Sequence, residues 1–307
     1  MRKKTFGTMN GAIAAASYGT NPLFALPMFM AGIGVNSVLF YRYAFAVIIY
    51  GLYLKLIKKI SLKITSKQFI PMCILAVFFS LSSLTLFDAF NYIEAGIACT
   101  ILFIYPVLVA IIMAMFFKER ITKTVVTAIF LTSAGIALLY NGKSGASLNM
   151  TGVGMVLLSA LLYALYIVGV KKIKPIKKLK PSVLSFYVML IGLVVYIVNL
   201  KFCTNLQILS TPKLWFYAIG LAILPTIISL ETITLSIKLV GSTKTAILGA
   251  LEPITAIFFG VLVFHEHLST RIMLGVAMIL FGVLLIVITK KHTKSQAISL
   301  EAPTQNQ

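Results

Sequence analysis

The chain has 307 residues, 60% of them hydrophobic and 11% charged, with a mean hydropathy of +1.01. Charged residues make up about a quarter of ordinary soluble domains, so this composition excludes a soluble globular protein and predicts a polytopic membrane protein. The net charge of +20 would suit a nucleic-acid binder, but the Lys and Arg residues fall in short runs between apolar spans rather than along one polar face, which argues against nucleic acid as a partner.

A hydrocarbon core of about 30 Å is crossed by roughly 20 apolar residues as helix, and backbone left open in lipid is not tolerated. Ten such spans are predicted, at about 8–28, 36–56, 69–91, 95–117, 123–141, 151–171, 182–200, 213–236, 243–264 and 270–290. Met1-Arg2-Lys3-Lys4 ahead of the first resembles the start of a signal sequence, but no small-x-small cleavage site follows, so the segment is read as a retained first helix. Of the 27 Lys and Arg residues, 22 lie on the side shared with the N-terminus and four (Lys143, Lys201, Lys213 and Arg271) on the other; Arg42 lies within a span. This imbalance predicts a multi-pass protein of the inner (plasma) membrane with both termini cytoplasmic. The run from Lys171 to Pro181 is read as a positive-inside loop, with anionic-lipid binding as its alternative. Cys73, Cys99 and Cys203 are scattered without metal spacing and are expected as free thiols. The polar tail, 295–307, is expected to be disordered.

An offset of 147 carries Pro106 to Pro253, Glu119 to Glu266, Thr122 to Ser269 and Gly135 to Gly282 without a gap. The chain therefore reads as two related halves, 1–145 and 146–294, joined through the linker Asn141 to Met150. With five spans in each, the second half enters the membrane from the opposite side. Inverted repeats of this kind recur in transporters and place substrate near the midplane between them.

YGTNP at Tyr18 to Pro22, YRYAFA at Tyr41 to Ala46, and then Pro106, Glu119 and Gly135 mark the first half. LLYALY at Leu161 to Tyr166, LEP at Leu251 to Pro253, HEHLS at His265 to Ser269 and FGVLL at Phe281 to Leu285 mark the second. In order, spacing and repetition the chain resembles the drug/metabolite transporter superfamily in its ten-span EamA-like branch. The resemblance implies a secondary transporter of small organic metabolites, commonly an exporter of amino acids or related compounds, working by alternating access. Tyr18 stands where many relatives carry tryptophan, and Asp88 where a small or apolar residue is more usual.

Ionisable groups inside a membrane need a partner, an aqueous cavity or a function. Glu252 lies about 15 Å into its span, near the midplane, beside Pro253, whose missing donor is expected to leave the Gly249 carbonyl free to face a cavity. Gly249 and Thr245 share its face; a substrate or proton role stands beside a structural one, a protonated Glu252 bonded to a neighbouring helix. Glu231 heads a stripe with Thr234 and Lys238, either paired with Lys244 or Arg42 or in contact with substrate. Asp88 and Asn91 form either an outer gate or a solvated helix end.

Arg42 suits a substrate carboxylate through two parallel hydrogen bonds, or else snorkels outward as an interface anchor. Asn21 beside Pro22, with Tyr18, Tyr163 and Tyr166, offers donors, and Tyr105 precedes Pro106. The predicted cavity is lined by Asn21, Tyr18, Arg42, Tyr105, Tyr166 and Glu252, with Glu252, Glu231, Asp88 and Asn91 as coupling or gating candidates and helix breaks at Pro22, Pro106 and Pro253. Glu119 and Glu266 are read as structural junctions beside the capping residues Thr122 and Ser269. His265 and His267, two apart on a helix, do not converge on a metal. No metal, cofactor or catalytic motif is predicted, so the chain is not read as an enzyme. The expected partners are a small-molecule substrate and the bilayer, with the chain a monomer or homodimer. The readings set against transport are a lipid-handling or structural membrane protein and a membrane-embedded enzyme.

Overall fold

The structure, a computed structural model, describes residues 2–117, 123–140, 149–240, 245, 248–249, 251–265, 269–271, 273–282 and 285. The described residues are helical, with no strand among them. In chain order the helices are α1 (Arg2–Tyr18), α2 (Asn21–Met30), α3 (Val35–Leu52), α4 (Ser66–Ala89), α5 (Ala95–Leu102), α6 (Tyr105–Phe117), α7 (Lys123–Tyr140), α8 (Met150–Lys172), α9 (Lys174–Lys177), α10 (Pro181–Asn199), α11 (Pro212–Ala222), α12 (Ser229–Val240), α13 (Leu251–Phe264) and α14 (Met273–Gly282). Wider π-helical turns follow α3 over Tyr53–Ile57 and join α11 to α12 over Ile223–Ile228.

Among the described residues, six segments are long and apolar enough to cross a membrane: Val35–Ile57, Ser66–Ala89, Ala95–Phe117, Met150–Lys172, Pro181–Asn199 and Pro212–Ser236. Leu251–Phe264 and Met273–Gly282 are apolar but shorter. Large apolar side chains such as Phe116, Phe130, Phe258, Leu262 and Phe281 stand on the outside, as expected where the solvent is lipid rather than water.

Helix starts follow local chemistry. Pro22, Pro175, Pro181 and Pro212 occupy first-turn positions, where a missing N–H costs no intrahelical bond. Asn149 caps α8, its side-chain oxygen accepting from the N–H groups of Thr151 at 2.9 Å and Gly152 at 3.4 Å.

Small residues let helices approach where burial gives no driving force in lipid. A β-carbon at Gly7 would lie 2.7 Å from Val240 Cγ1 and one at Gly11 2.7 Å from Ser236 Oγ, so one face of α1 beds on α12. Gly135 of α7 lies against the Gly275 carbonyl of α14 in the same way, at 2.7 Å. Between α4 and α8, Ser82 and Ser159 exchange hydrogen bonds, each hydroxyl donating to the other residue's carbonyl at 3.0 and 2.7 Å.

The helix α3 is held to the second half at both ends. At its start Gln207 bonds Gly32 and Gly34 through its side chain and Ser37 and Tyr41 through its main chain. Thirteen residues beyond Ser37, roughly 20 Å along a helix, the Tyr50 hydroxyl donates to Glu231, which also accepts from Ser182 Oγ at 2.9 Å.

Candidate functional site

Three predicted spans are interrupted, each just before an X-Pro pair. The first breaks at Gly19 and Thr20 and restarts at Asn21-Pro22. The fourth breaks at Phe103 and Ile104 and restarts at Tyr105-Pro106. In the ninth, the turn at Gly249 precedes α13, whose second and third residues are Glu252 and Pro253. A proline disrupts a helix interior but fits the first turn of a new one. Asn21, Tyr105 and Glu252 are thereby placed where half-helices begin.

Tight turns satisfy the backbone at these breaks. Ile104 N–H donates to the Ile101 carbonyl at 3.0 Å, and Glu252 N–H to the Gly249 carbonyl at 3.0 Å. The second bond corrects the expectation that Pro253 leaves the Gly249 carbonyl free: the chain tightens by one residue before the proline and uses that acceptor itself.

Two of the breaks close on one narrow space of about 280 Å³, its opening included. Small residues of α1, Gly11, Ala14 and Ala15, leave room for it. Its polar walls are Tyr18, Tyr105, Tyr163, Ser229, Thr245 and Glu252. Tyr105 and Tyr163 meet edge to face, with ring centroids 4.8 Å apart and planes at 74°. Glu252 is 5% exposed, and its Oε1 has no hydrogen-bond partner among the described residues.

The cavity brings together Tyr18, Tyr105 and Glu252 of the predicted lining, and the remaining candidates lie elsewhere. Tyr166 stacks behind the wall, its ring 6.2 Å from Tyr163 and 5.1 Å from Phe79. Asn21 is fully buried, and neither of its amide atoms has a partner among the described residues. Asp88 is half-buried near the end of α4, and Asn91 is exposed in the turn that follows.

Arg42 is fully buried, so it is not an outward interface anchor. It docks on the π-helical turn around Pro225. Pro225 has no N–H for the Leu221 carbonyl, and the Thr226 hydroxyl supplies a donor instead at 2.9 Å. The same Thr226 oxygen accepts from Arg42 Nε at 2.6 Å, while Arg42 Nη2 approaches the Pro225 carbonyl at 3.4 Å and the guanidinium lies over Phe87, 5.3 Å from its centroid. Nη1 has no hydrogen-bond partner among the described residues.

Glu231 takes Tyr50 and Ser182 as partners, and Arg42 is engaged elsewhere, which corrects that proposed pairing. Lys244, Glu119, Glu266, Thr122, His267, the linker 141–148 and the tail lie outside the described residues, as does the side chain of Lys238. Thr226, Ser182, Gln207 and Ser229 are not among the residues that the sequence singles out. Of these only Thr226 carried a local signal, a hydroxyl directly after a proline within a span.

The EamA-like transporter family model matches the chain twice, over residues 5–141 and 150–288. Two proteins of Archaeoglobus fulgidus, each named "Uncharacterized transporter", are 28% identical to it. One aligns over 211 residues, 69% of this chain and 74% of its own; the other over 101 residues, 33% of this chain and 35% of its own. A crystal structure described as "Crystal structure of protein" shares the fold with a TM-score of 0.67 at 15% identity, covering 94% of this chain and 98% of that one. Apolar helices, interrupted spans and a paired family match agree: this chain is an integral multi-pass membrane protein that belongs to the EamA-like transporter family.

Proposed function

We propose that the chain is a secondary transporter that moves small organic metabolites across the plasma membrane by alternating access, with amino acids or related compounds as favoured cargo and export as the favoured direction. The observation that carries this reading is the narrow space where the breaks of the fourth and ninth spans face each other, lined by Tyr105 and by Glu252, whose Oε1 has no hydrogen-bond partner among the described residues. Discontinuous helices meeting between inverted repeats supply both a polar site and the joints about which two halves rock. In this reading ten spans cross the membrane, both termini are cytoplasmic, and Pro22, Pro106 and Pro253 mark where half-helices pivot. The two ties on α3, at Gln207 and at Glu231, would open in turn.

The test is flux in proteoliposomes that contain the purified protein and are loaded with a mixed pool of small metabolites, measured with and without a pH gradient. Protein-dependent loss of particular metabolites supports transport, and acceleration by the gradient identifies proton coupling. Glu252→Gln is expected to slow flux; unchanged flux would remove that residue from coupling. Chemical turnover of a metabolite without translocation would sink the transporter reading.

A further inference from the structure

Two basic segments, one from each half of the chain, lie side by side at one end of the bundle. The first, 55–67, holds five lysines and the second, 171–180, six, and neither contains Asp or Glu. Hydrogen bonds fasten them to a common base. Gln68 Nε2, just past the first segment, donates to the Pro175 carbonyl in the second at 3.4 Å, and the Tyr187 hydroxyl of α10 donates to the Leu62 carbonyl at 2.8 Å. Apolar side chains pin both segments from beneath. Over 59–64 the chain alternates: Ile60, Leu62 and Ile64 pack on the core, while Lys59, Ser61 and Lys63 are exposed. In the second segment Ile176 and Leu179 are buried, and Lys174, Lys177, Lys178 and Lys180 stand out.

Ammonium groups gathered on one layer repel one another unless an anion lies over them. Glu231, bonded to Ser182 just past the second segment, is engaged by the Tyr50 and Ser182 hydroxyls. Orientation by positive charge asks only that lysines lie in the loop. It does not ask that buried residues between them hold them on one outward layer. Beside the lysines the surface is apolar: Ile57 is 70% exposed, and Phe69 and Ile70 at the start of α4 are 52% and 67% exposed. A soluble anion gains nothing from these side chains, whereas a phospholipid sets its phosphate on the ammonium groups and its acyl chains on the apolar ones.

We propose that this face docks anionic phospholipids, their phosphates held between the lysines of 59–63 and those of 174–180 and their acyl chains set against Ile57, Phe69 and Ile70. With both termini cytoplasmic, the face meets the inner leaflet, whose anionic lipids attract basic segments next to a membrane span. A lipid bound there touches both halves of the chain at once. Its binding depends neither on the cargo nor on the direction of transport.

The proposal is tested by titrating the purified full-length protein, in a neutral detergent, with dihexanoyl phosphatidylglycerol, dihexanoyl phosphatidylcholine and sodium phosphate, and reading affinity by thermophoresis. At low salt phosphatidylglycerol is expected to bind at least about tenfold tighter than phosphatidylcholine, the effect of one or two lysines near the headgroup. The preference should fade at about 1 M salt, where charges are screened within a few ångströms. Lys59→Gln with Lys63→Gln, and Lys174→Gln with Lys177→Gln, should each weaken phosphatidylglycerol several-fold, and the four together should remove its preference. Lys201→Gln with Lys213→Gln, beside the opposite end of α3, should change nothing. Should the fourfold variant fail to fold, the two pairs decide. Equal affinity for the two lipids, a preference that survives all four substitutions, or an equal loss in the Lys201 and Lys213 pair overturns the proposal. Sodium phosphate bound as tightly as phosphatidylglycerol overturns it as well, in favour of a soluble anion. The titration reads no flux, so its outcome stands apart from that of the transport reading.

Discussion

Gly19 in the first span lies directly on the backbone of Glu252 in the ninth: a β-carbon at position 19 would stand 2.5 Å from the Glu252 carbonyl oxygen and 2.7 Å from Thr255 Cβ. The break that ends α1 is thereby seated on the half-helix that presents Glu252. A backbone oxygen cannot swing aside as a flexible side chain can, so the two segments must part if position 19 gains a methyl group.

Gly19→Ala is accordingly expected to destabilise the protein by about 1–3 kcal/mol, the usual cost of overpacking. Its cavity should also bind cargo more weakly. Thermal unfolding of the purified variant in detergent checks this, with Gly154→Ala as the comparison. A β-carbon at Gly154 meets nothing within 4 Å, so that variant should unfold at the native temperature or slightly above it. Equal melting of the two would show that the Gly19 contact is loose.

Thr226 serves two partners with one hydroxyl, donating to the Leu221 carbonyl and accepting from Arg42 Nε. Thr226→Val removes both bonds while nearly keeping the shape. Each orphaned buried group costs about 1–3 kcal/mol, with the charged one at the upper end. Thr226→Ser keeps the hydroxyl and should retain most of the stability. A large gap between the two variants in thermal unfolding is the expected result; a valine variant as stable as the serine one would mean that Arg42 finds another acceptor.

The all-helical, two-repeat membrane organisation was legible because hydropathy, proline placement and the 147-residue offset are local or periodic signals. Pro106 and Pro253 fall at interrupted helices as their spacing implies. Glu252 could be picked out because a carboxylate in an apolar run is conspicuous. Partnerships were less legible. Glu231 bonds residues 181 and 49 positions away, and a pairing at such separation depends on how helices rotate against one another, which no single span encodes. Arg42 illustrates the same limit: its neighbours Tyr41 and Tyr43 suggested an interface, while the π-helical turn that captures it lies in a span far along the chain. Tyr163 and Tyr166 offer the same phenolic donor by type, and the sequence does not show that Tyr163 rather than Tyr166 reaches the cavity.

Tyr50 and Ser182 both donate to Glu231, joining α3, α10 and α12 at one place. Hydrogen bonds to a charged acceptor contribute about 1.5–3 kcal/mol each. Tyr50→Phe should therefore lower stability by about that amount, and the loss should shrink when Glu231 is already glutamine. A double-mutant cycle on unfolding free energies reads this directly. Additive losses would show that the carboxylate and the phenol act independently.

Gln207 closes the opposite end of α3 with four hydrogen bonds, two of them through its side-chain amide. Gln207→Ala removes the two that reach Gly32 and Gly34 and leaves the main-chain pair. The segment 200–206 beside it carries three consecutive residues of positive φ, Lys201, Phe202 and Cys203, a conformation that non-glycine side chains hold only when their surroundings enforce it. Loosening the tie should let this segment open more often. Cys203 is half-buried there and serves as a natural reporter, while Cys99 is buried and should stay silent. In a Cys73→Ser background, labelling of intact cells with a membrane-impermeant maleimide is expected to proceed several-fold faster for Gln207→Ala than for the parent. In the proposed orientation, with both termini cytoplasmic, this segment lies outside, so labelling should occur in intact cells. Reaction of Cys203 only after the cells are broken would reverse the proposed orientation, and equal labelling rates in both proteins would show that Gln207 does not hold the segment shut.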